Sequence, residues 1–270
     1  MKEYLVIGNP ITHSLSPELH NYWIRENGIN GIYNKRKLNE NDLKEFFLKI
    51  RNKEINGANI TVPFKRDVIP YLDQLSFESE KTQSVNTVYL KNDKIIGHNT
   101  DIDGFELAIK DANYDVEGKK VLILGAGGVV PSVIFALYKM KVLSVTISNR
   151  TKSKAENLKS LFNNLEILDW GKVSNFDMII NATSIGLKKE DKLNIDFSAS
   201  TCNLLISVKD KFIFVYESLL MFKSKFTNLA IFQSLKSKFK GVLSNLTNPA
   251  FLKSKFKSGL NNFPNLQKLQ

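Results

Sequence analysis

The sequence holds a single cysteine, Cys202, so no disulfide can form within the chain. That excludes a disulfide-stapled scaffold and fits a reducing compartment. Its three histidines, His13, His20 and His98, show no metal-ligand spacing, and no Cys/His cluster occurs. No metal is therefore expected. Long hydrophobic runs are missing too. The longest nearly apolar stretch, 121–137, is interrupted by glycines and Pro131 and is slightly short for a membrane span. The opening MKEYLVIGNP enters a strand-like run with no signal-peptide core. A cytoplasmic protein with no membrane partner is expected.

Acidic residues are scarce in one region only. The formal net charge is +11, but residues 1–197 carry 27 Lys+Arg against 25 Asp+Glu. Residues 198–270 carry 11 Lys, no Arg and 2 acidic residues. The basicity belongs to the C-terminal region, so the first 197 residues need no nucleic-acid partner. A chain of 270 residues is long enough for two domains with real cores.

Residues 121–154 carry the most informative pattern. Val121–Leu124 reads as a strand buried on both faces. Gly125, Ala126, Gly127 and Gly128 turn the chain, and an apolar helix follows with Ile134, Leu137 and Tyr138 on one face. Ser144–Ser148 reads as a second strand. This is half of a dinucleotide-binding βαβ unit, in which glycines admit a pyrophosphate to a helix N-terminus. The strict GxGxxG pattern fails because Val130 holds its third position, so a plain tight turn remains open. Pro131 fits in the first helical turn, where its missing N–H costs nothing. The second strand ends in Asn149, Arg150 and Thr151, with Lys152 and Lys154 beyond. An NAD-binding unit usually places a carboxylate there for the ribose 2′-OH. Arginine suits a 2′-phosphate instead, which favours NADP; a solvated basic turn is the plain alternative.

Upstream, strands are predicted at Glu3–Ile7, Ile32–Leu38, Gly57–Thr61, Val85–Leu90 and Ile95–Gly97. Helices are predicted after Ser16, which reads as an N-cap with Pro17 at the first helical position, near Asn41–Arg51, and from Asn99-Thr100-Asp101 to about Asp111. That last helix bridges to the nucleotide-binding half. Beyond it, a helix at Thr151–Phe162 and strands at Leu165–Leu168 and Asp177–Asn181 follow. The alternation predicts an α/β fold of two domains. Four polar clusters fall at strand ends: Ser14/Ser16, Thr61/Lys65, Asn86/Thr87 and Asn99/Asp101. Together they suit a small polyhydroxylated substrate. Each also has a plain role: Ser16 or Asp101 can cap a helix, Asn86 can hold a turn, and Lys65 can be a surface charge.

In their order and distances, these segments resemble the shikimate dehydrogenase family. Gly8-Asn9-Pro10, His13–Pro17 with His20-Asn21, Gly57–Lys65, Ser84–Thr87 and Gly97–Gly104 match its substrate-side motifs. Gly125–Gly128, Asn149–Thr151 and Asn181–Gly186 match its cofactor motifs. The match covers residues 1 to about 197. The resemblance implies an N-terminal α/β substrate domain at 1–101 and a Rossmann-like doubly wound NADP-binding domain at 102–205. It implies NADP-dependent reduction of 3-dehydroshikimate to shikimate by a monomer or homodimer. Lys65 and Asp101 would be the catalytic pair; Ser14, Ser16, Thr61, Asn86 and Asp101 would bind substrate. Gly125, Ala126, Gly127, Gly128 and Val129, then Asn149, Arg150, Thr151, Lys154 and Thr183, would bind the cofactor.

Past about residue 200 the family pattern is missing, including its Asp-x-x-Tyr-x-Pro segment. Lys-Ser-Lys-Phe recurs instead at 223–226, 236–239 and 253–256. Residues 206–270 are expected to form an irregular basic tail, read as a frame change, a diverged element or a basic amphipathic segment. A non-catalytic homologue that binds ligand is the alternative function this leaves open. The missing carboxylate after Ser148 predicts a higher kcat/KM with NADP than with NAD. An equal or greater value with NAD would point to a quinate/shikimate dehydrogenase.

Overall fold

Short apolar segments alternate with amphipathic helices from the start of the chain. The structure, a computed structural model, describes residues 1–112, 114–185, 195, 202 and 204–207. In order come β1 (Lys2–Gly8), α1 (Ser16–Glu26), β2 (Gly31–Lys37), α2 (Leu43–Arg51), β3 (Gly57–Ile60) and β4 (Gln74–Leu75). Then come α3 (Phe77–Thr82), β5 (Thr87–Lys91), β6 (Lys94–His98) and α4 (Asp101–Asp111). The second half contains β7 (Lys120–Leu124), α5 (Val130–Lys139), β8 (Ser144–Ser148), α6 (Lys152–Lys159), β9 (Leu165–Leu168), β10 (Met178–Asn181) and β11 (Leu204–Ser207).

The first sheet has the order β2-β1-β3-β5-β6-β4. β1 runs parallel to β2 and β3, whereas β5 is antiparallel to both β3 and β6. That mixture gathers chemistry at one edge. The carboxyl ends of β1, β3 and β6 and the start of β5 all lie there. Leu43, Phe46, Phe47 and Ile50 of α2 are buried, as their spacing predicts, and pack with Leu5, Ile7 and Ile60.

The second sheet is wholly parallel, in the order β11-β10-β7-β8-β9. Counted from β7, this is 3-2-1-4-5, a doubly wound order whose switch point lies between β7 and β10. Its core joins Val121 and Ile123 to Val133, Ile134 and Leu137 of α5. Ile102, Phe105 and Ile109 of α4 belong to the same cluster, so α4 starts at the first sheet and is buried in the second core. Pro131 falls in the first turn of α5, as predicted.

Several local expectations need correction. Ser16 is the first helical residue, not the N-cap; Leu15 holds the cap position, with no capping side chain. The Ser16 hydroxyl instead pairs with Ser14 Oγ at 2.7 Å, and Pro17 is the second helical residue. β5 begins at Thr87 rather than Val85, because the Val85 N–H is taken by the Lys65 carbonyl at 2.8 Å. A 3₁₀ turn at Glu40–Asp42 precedes α2, which starts at Leu43. β4 and α3 had no signal in the hydrophobic pattern, since they have only two and six residues. The expected basic tail at 206–270 lies outside the described residues, except that Ile206 and Ser207 end β11. Among the described residues no helix is long and apolar enough to cross a membrane.

One buried histidine gives the first sheet a pH dependence. His20 stacks on Tyr33 at 4.1 Å between ring centroids and meets Trp23 edge-on. Burial lowers its pKa to about 3. The unfolded chain therefore binds a proton below about pH 6.5 that the folded chain refuses. This stability is complete above that pH and is lost as pH falls toward 3, by about 1.4 kcal/mol per unit. Urea titrations at pH 6.5, 5.5 and 4.5 should show His20→Phe losing stability less steeply than the parent. Parallel slopes would mean that His20 is not held neutral.

Candidate active site

Lys65 owes its position to the turn after β3. Phe64 N donates to Thr61 O at 3.0 Å, and the buried Phe64 side chain anchors the turn in the first core. The Lys65 carbonyl is held by Val85 N, so the side chain leaves a backbone fixed on both sides. Asp101 opens α4, where the helix dipole favours a carboxylate. Lys65 Nζ donates to Asp101 Oδ2 at 2.7 Å, with side-chain exposures of 9% and 2%. Asn86 Nδ2 donates to Asp101 Oδ1 at 2.9 Å. Both carboxylate oxygens are thus engaged, which offsets the desolvation that a buried pair suffers.

Asp101 is therefore in direct contact with both Lys65 and Asn86. Ser14 and Ser16 form a separate hydroxyl pair, and Ser16 N also reaches Ser14 Oγ at 3.3 Å. Thr61 sits half-buried where β3 ends, with its methyl over Gly8. A Cβ on Gly8 would lie 2.5 Å from Thr61 Cγ2, so the close approach of these two strand ends needs glycine.

Two participants, Asn59 and Asn99, carry no distinct site signal of their own in the sequence. Asn59 lies in β3, whose four residues are all buried, and its amide reaches Thr87 Oγ1 at 3.2 Å. A polar side chain inside a four-residue buried strand was the available signal. Asn99 appears in the sequence only as one member of a polar cluster. Its Oδ1 accepts Asp101 N at 3.1 Å, and its Nδ2 donates to Thr82 Oγ1 at 3.0 Å and Ser132 Oγ at 2.9 Å. Ser132 belongs to α5, so one buried amide ties the start of α4 to the second sheet's first helix. Ser84 Oγ adds a contact to the Gly128 carbonyl at 3.4 Å.

The glycine turn lies at the switch point. Gly125 has φ +110°, and a Cβ there would meet the Ala182 carbonyl carbon and oxygen at 2.9 Å. Gly127 and Gly128 are exposed, with nothing within 4 Å of a Cβ built on Gly128. Ala126 is half-buried and Val129 buried, while Val130, at the missing third glycine position, points fully into the core. Asn149 Nδ2 closes on Thr151 O at 2.7 Å, leaving Arg150, Thr151 and Lys154 exposed beyond β8. Thr183 Oγ1 donates to Asn181 Oδ1 at 2.7 Å and accepts Ile185 N at 3.1 Å, which fixes the opposite loop. An open glycine cradle beside basic groups fits a phosphorylated dinucleotide.

Together these features define a two-domain α/β protein: a substrate-type sheet bearing a buried Lys–Asp pair, and a doubly wound nucleotide-binding sheet. Residues 6–88 match the family model described as the shikimate dehydrogenase substrate binding domain, and residues 106–189 match that for shikimate / quinate 5-dehydrogenase. The chain is 52% identical over 213 residues to the shikimate dehydrogenase (NADP(+)) of Pelagibacter ubique, covering 79% of this chain and 78% of that one. The crystal structure of Aquifex aeolicus shikimate dehydrogenase superposes with a TM-score of 0.72 at 32% identity, covering 83% of this chain and 91% of that one. The Thermus thermophilus shikimate 5-dehydrogenase in complex with NADP(H) and shikimate gives 0.72 at 26% identity, covering 83% and 92%. The chain belongs to the shikimate dehydrogenase family.

Gly125→Ala should be poorly tolerated, because it adds a strained φ to a backbone clash. A loss of about 1–3 kcal/mol is expected, with weakened NADP binding. Gly128→Ala should leave the melting temperature close to the parent's. Equal effects of the two substitutions on melting would mean that the close approach at Gly125 does not limit the side chain there.

Proposed function

We propose that this chain is an NADP-dependent shikimate dehydrogenase that interconverts 3-dehydroshikimate and shikimate in aromatic amino-acid biosynthesis. The observation that carries the reading is the buried Lys65–Asp101 pair at 2.7 Å, joined to the nucleotide-binding half through Asn99 and Ser132. When bound, NADPH supplies the hydride that reduces the ketone. Lys65 Nζ donates a hydrogen bond to the ketone oxygen and gives it a proton as negative charge develops there. In the reverse direction the same amine takes the hydroxyl proton. Asp101 holds the ammonium in place and accepts a substrate hydroxyl.

The hydroxyls of Ser14, Ser16 and Thr61, with the Asn86 amide, would bind the substrate's carboxylate and remaining hydroxyls. Gly125, Ala126, Gly127, Gly128 and Val129 would hold the cofactor pyrophosphate, with Thr183 across the switch point. Asn149, Arg150, Thr151 and Lys154 would hold the adenosine end and its 2′-phosphate. On this reading residues 1–101 are the substrate-binding catalytic domain, 102–205 the NADP-binding domain and 206–270 an atypical tail. The enzyme would work in the cytoplasm as a monomer or homodimer, without a nucleic-acid or membrane partner.

The purified protein should reduce NADP with shikimate. A folded protein that binds both ligands without turnover would overturn the reading. Lys65→Ala should lower kcat by about 10²–10⁴-fold and change the KM for shikimate much less. An unchanged kcat would remove the lysine from the mechanism.

A further inference from the structure

A line of hydrogen bonds runs from the Asp101 carboxylate away from the active-site edge and into the first sheet. Tyr33 OH donates to Asn59 Oδ1 at 2.6 Å. Asn59 Nδ2 donates to Thr87 Oγ1 at 3.2 Å, and Thr87 Oγ1 donates to Asn86 Oδ1 at 3.0 Å. Asn86 Nδ2 then donates to Asp101 Oδ1 at 2.9 Å. All five side chains are buried.

Backbone groups fix the direction of this line. Asn59 Nδ2 also faces the Asn86 carbonyl at 3.4 Å, so that end of the amide is the donor and Oδ1 faces Tyr33. Thr100 N donates to Asn86 Oδ1 at 3.0 Å, so that end is the acceptor and Nδ2 faces Asp101. The Thr87 hydroxyl, receiving from one amide, gives its proton to the other. Each of the four bonds from Tyr33 to Asp101 points toward the carboxylate. Donors aligned in one sense polarise one another, and a carboxylate at the end gains most in its ionised form.

We propose that Tyr33 is a positioning residue for the reaction: the head of a one-way donor chain that ends on Asp101 and keeps its carboxylate charged and aimed at Lys65. The proposal rests on the dehydrogenase reading above. It gives a purpose to polar residues placed at the centre of a sheet, where apolar ones would pack at less cost. Four sets of titratable groups among the described residues bear on the chain. Lys65 bonds the carboxylate directly. Asp103 and Glu106 lie further along α4 and meet Lys139 of α5 at 3.7 and 2.6 Å. His98, at the end of β6, accepts Asn99 N on Nδ1 at 2.7 Å. His20, from α1, stacks on the Tyr33 ring and is held neutral by burial.

The test follows the Asp101 carboxyl by NMR in protein labelled with ¹³C-aspartate, its signal assigned through Asp101→Asn. Tyr33→Phe keeps the ring on His20 and removes the first donor. Its Asp101 titration midpoint should lie above the parent's by about 0.3–1 pH unit. Thr87→Val, which breaks the chain midway, should move it in the same direction. Thr87→Ser, which keeps the hydroxyl, should leave it unchanged. The acid limb of kcat/KM for shikimate should move with the midpoint. A structural role alone would lower the melting temperature of Tyr33→Phe and Thr87→Val without moving either midpoint, and that result overturns the proposal. If Tyr33→Phe fails to fold, the Thr87→Val and Thr87→Ser pair decides. A parent without turnover would sink the dehydrogenase reading, while the carboxyl titration still decides the chain.

Discussion

The Lys65 ammonium and the Asp101 carboxylate meet at 2.7 Å, both nearly out of contact with water. Such a pair persists only where its remaining hydrogen-bonding capacity is met, because an uncompensated buried charge costs several kcal/mol. Much of the first sheet's irregular detail meets that requirement. The antiparallel β5 and β6 return Asn86 and Asp101 to the edge where β3 releases Lys65. The Val85 N–H leaves the ladder to hold the Lys65 backbone, and Asn86 spends one end of its amide on the carboxylate. The dipole of α4 acts on the same charge.

The second sheet meets a different constraint. A dinucleotide needs backbone N–H groups at a helix N-terminus and room for phosphate oxygens. Gly125 crosses closely over Ala182, and nothing lies within 4 Å of a Cβ built on Gly128, a geometry compatible with that need. α4 links the two requirements physically. It begins with Asp101 at the first sheet and buries Ile102, Phe105 and Ile109 in the second core. Asn99 adds a polar bond in parallel, through Ser132.

Much of this was legible in the chain. The buried run at 121–124, the glycine turn and the basic end of β8 specified the nucleotide half, because parallel strands and phosphate turns leave strong local patterns. The α2 stripe and the ends of β1 and β3 were equally clear. Ser16 misled because Ser before Pro suits a cap, whereas its hydroxyl is engaged by Ser14. β4 and α3 are set by partners distant in sequence: Asp73 N bonds Ile95 O, and Ser76 N bonds Gly97 O. The contacts of Asn99 and Tyr33 depend on residues 33 and 26 positions away, which no spacing rule reaches.

On the proposed mechanism Lys65 and Asp101, bonded at 2.7 Å, would act as one unit, not as two independent contributors. A double-mutant cycle on shikimate oxidation tests it directly, using Lys65→Met, Asp101→Asn and the double variant, each verified as folded. Acting as a unit, the pair should be strongly non-additive, with the double variant about as slow as the slower single one. Rate losses that multiply across the two sites would show that the two residues act independently.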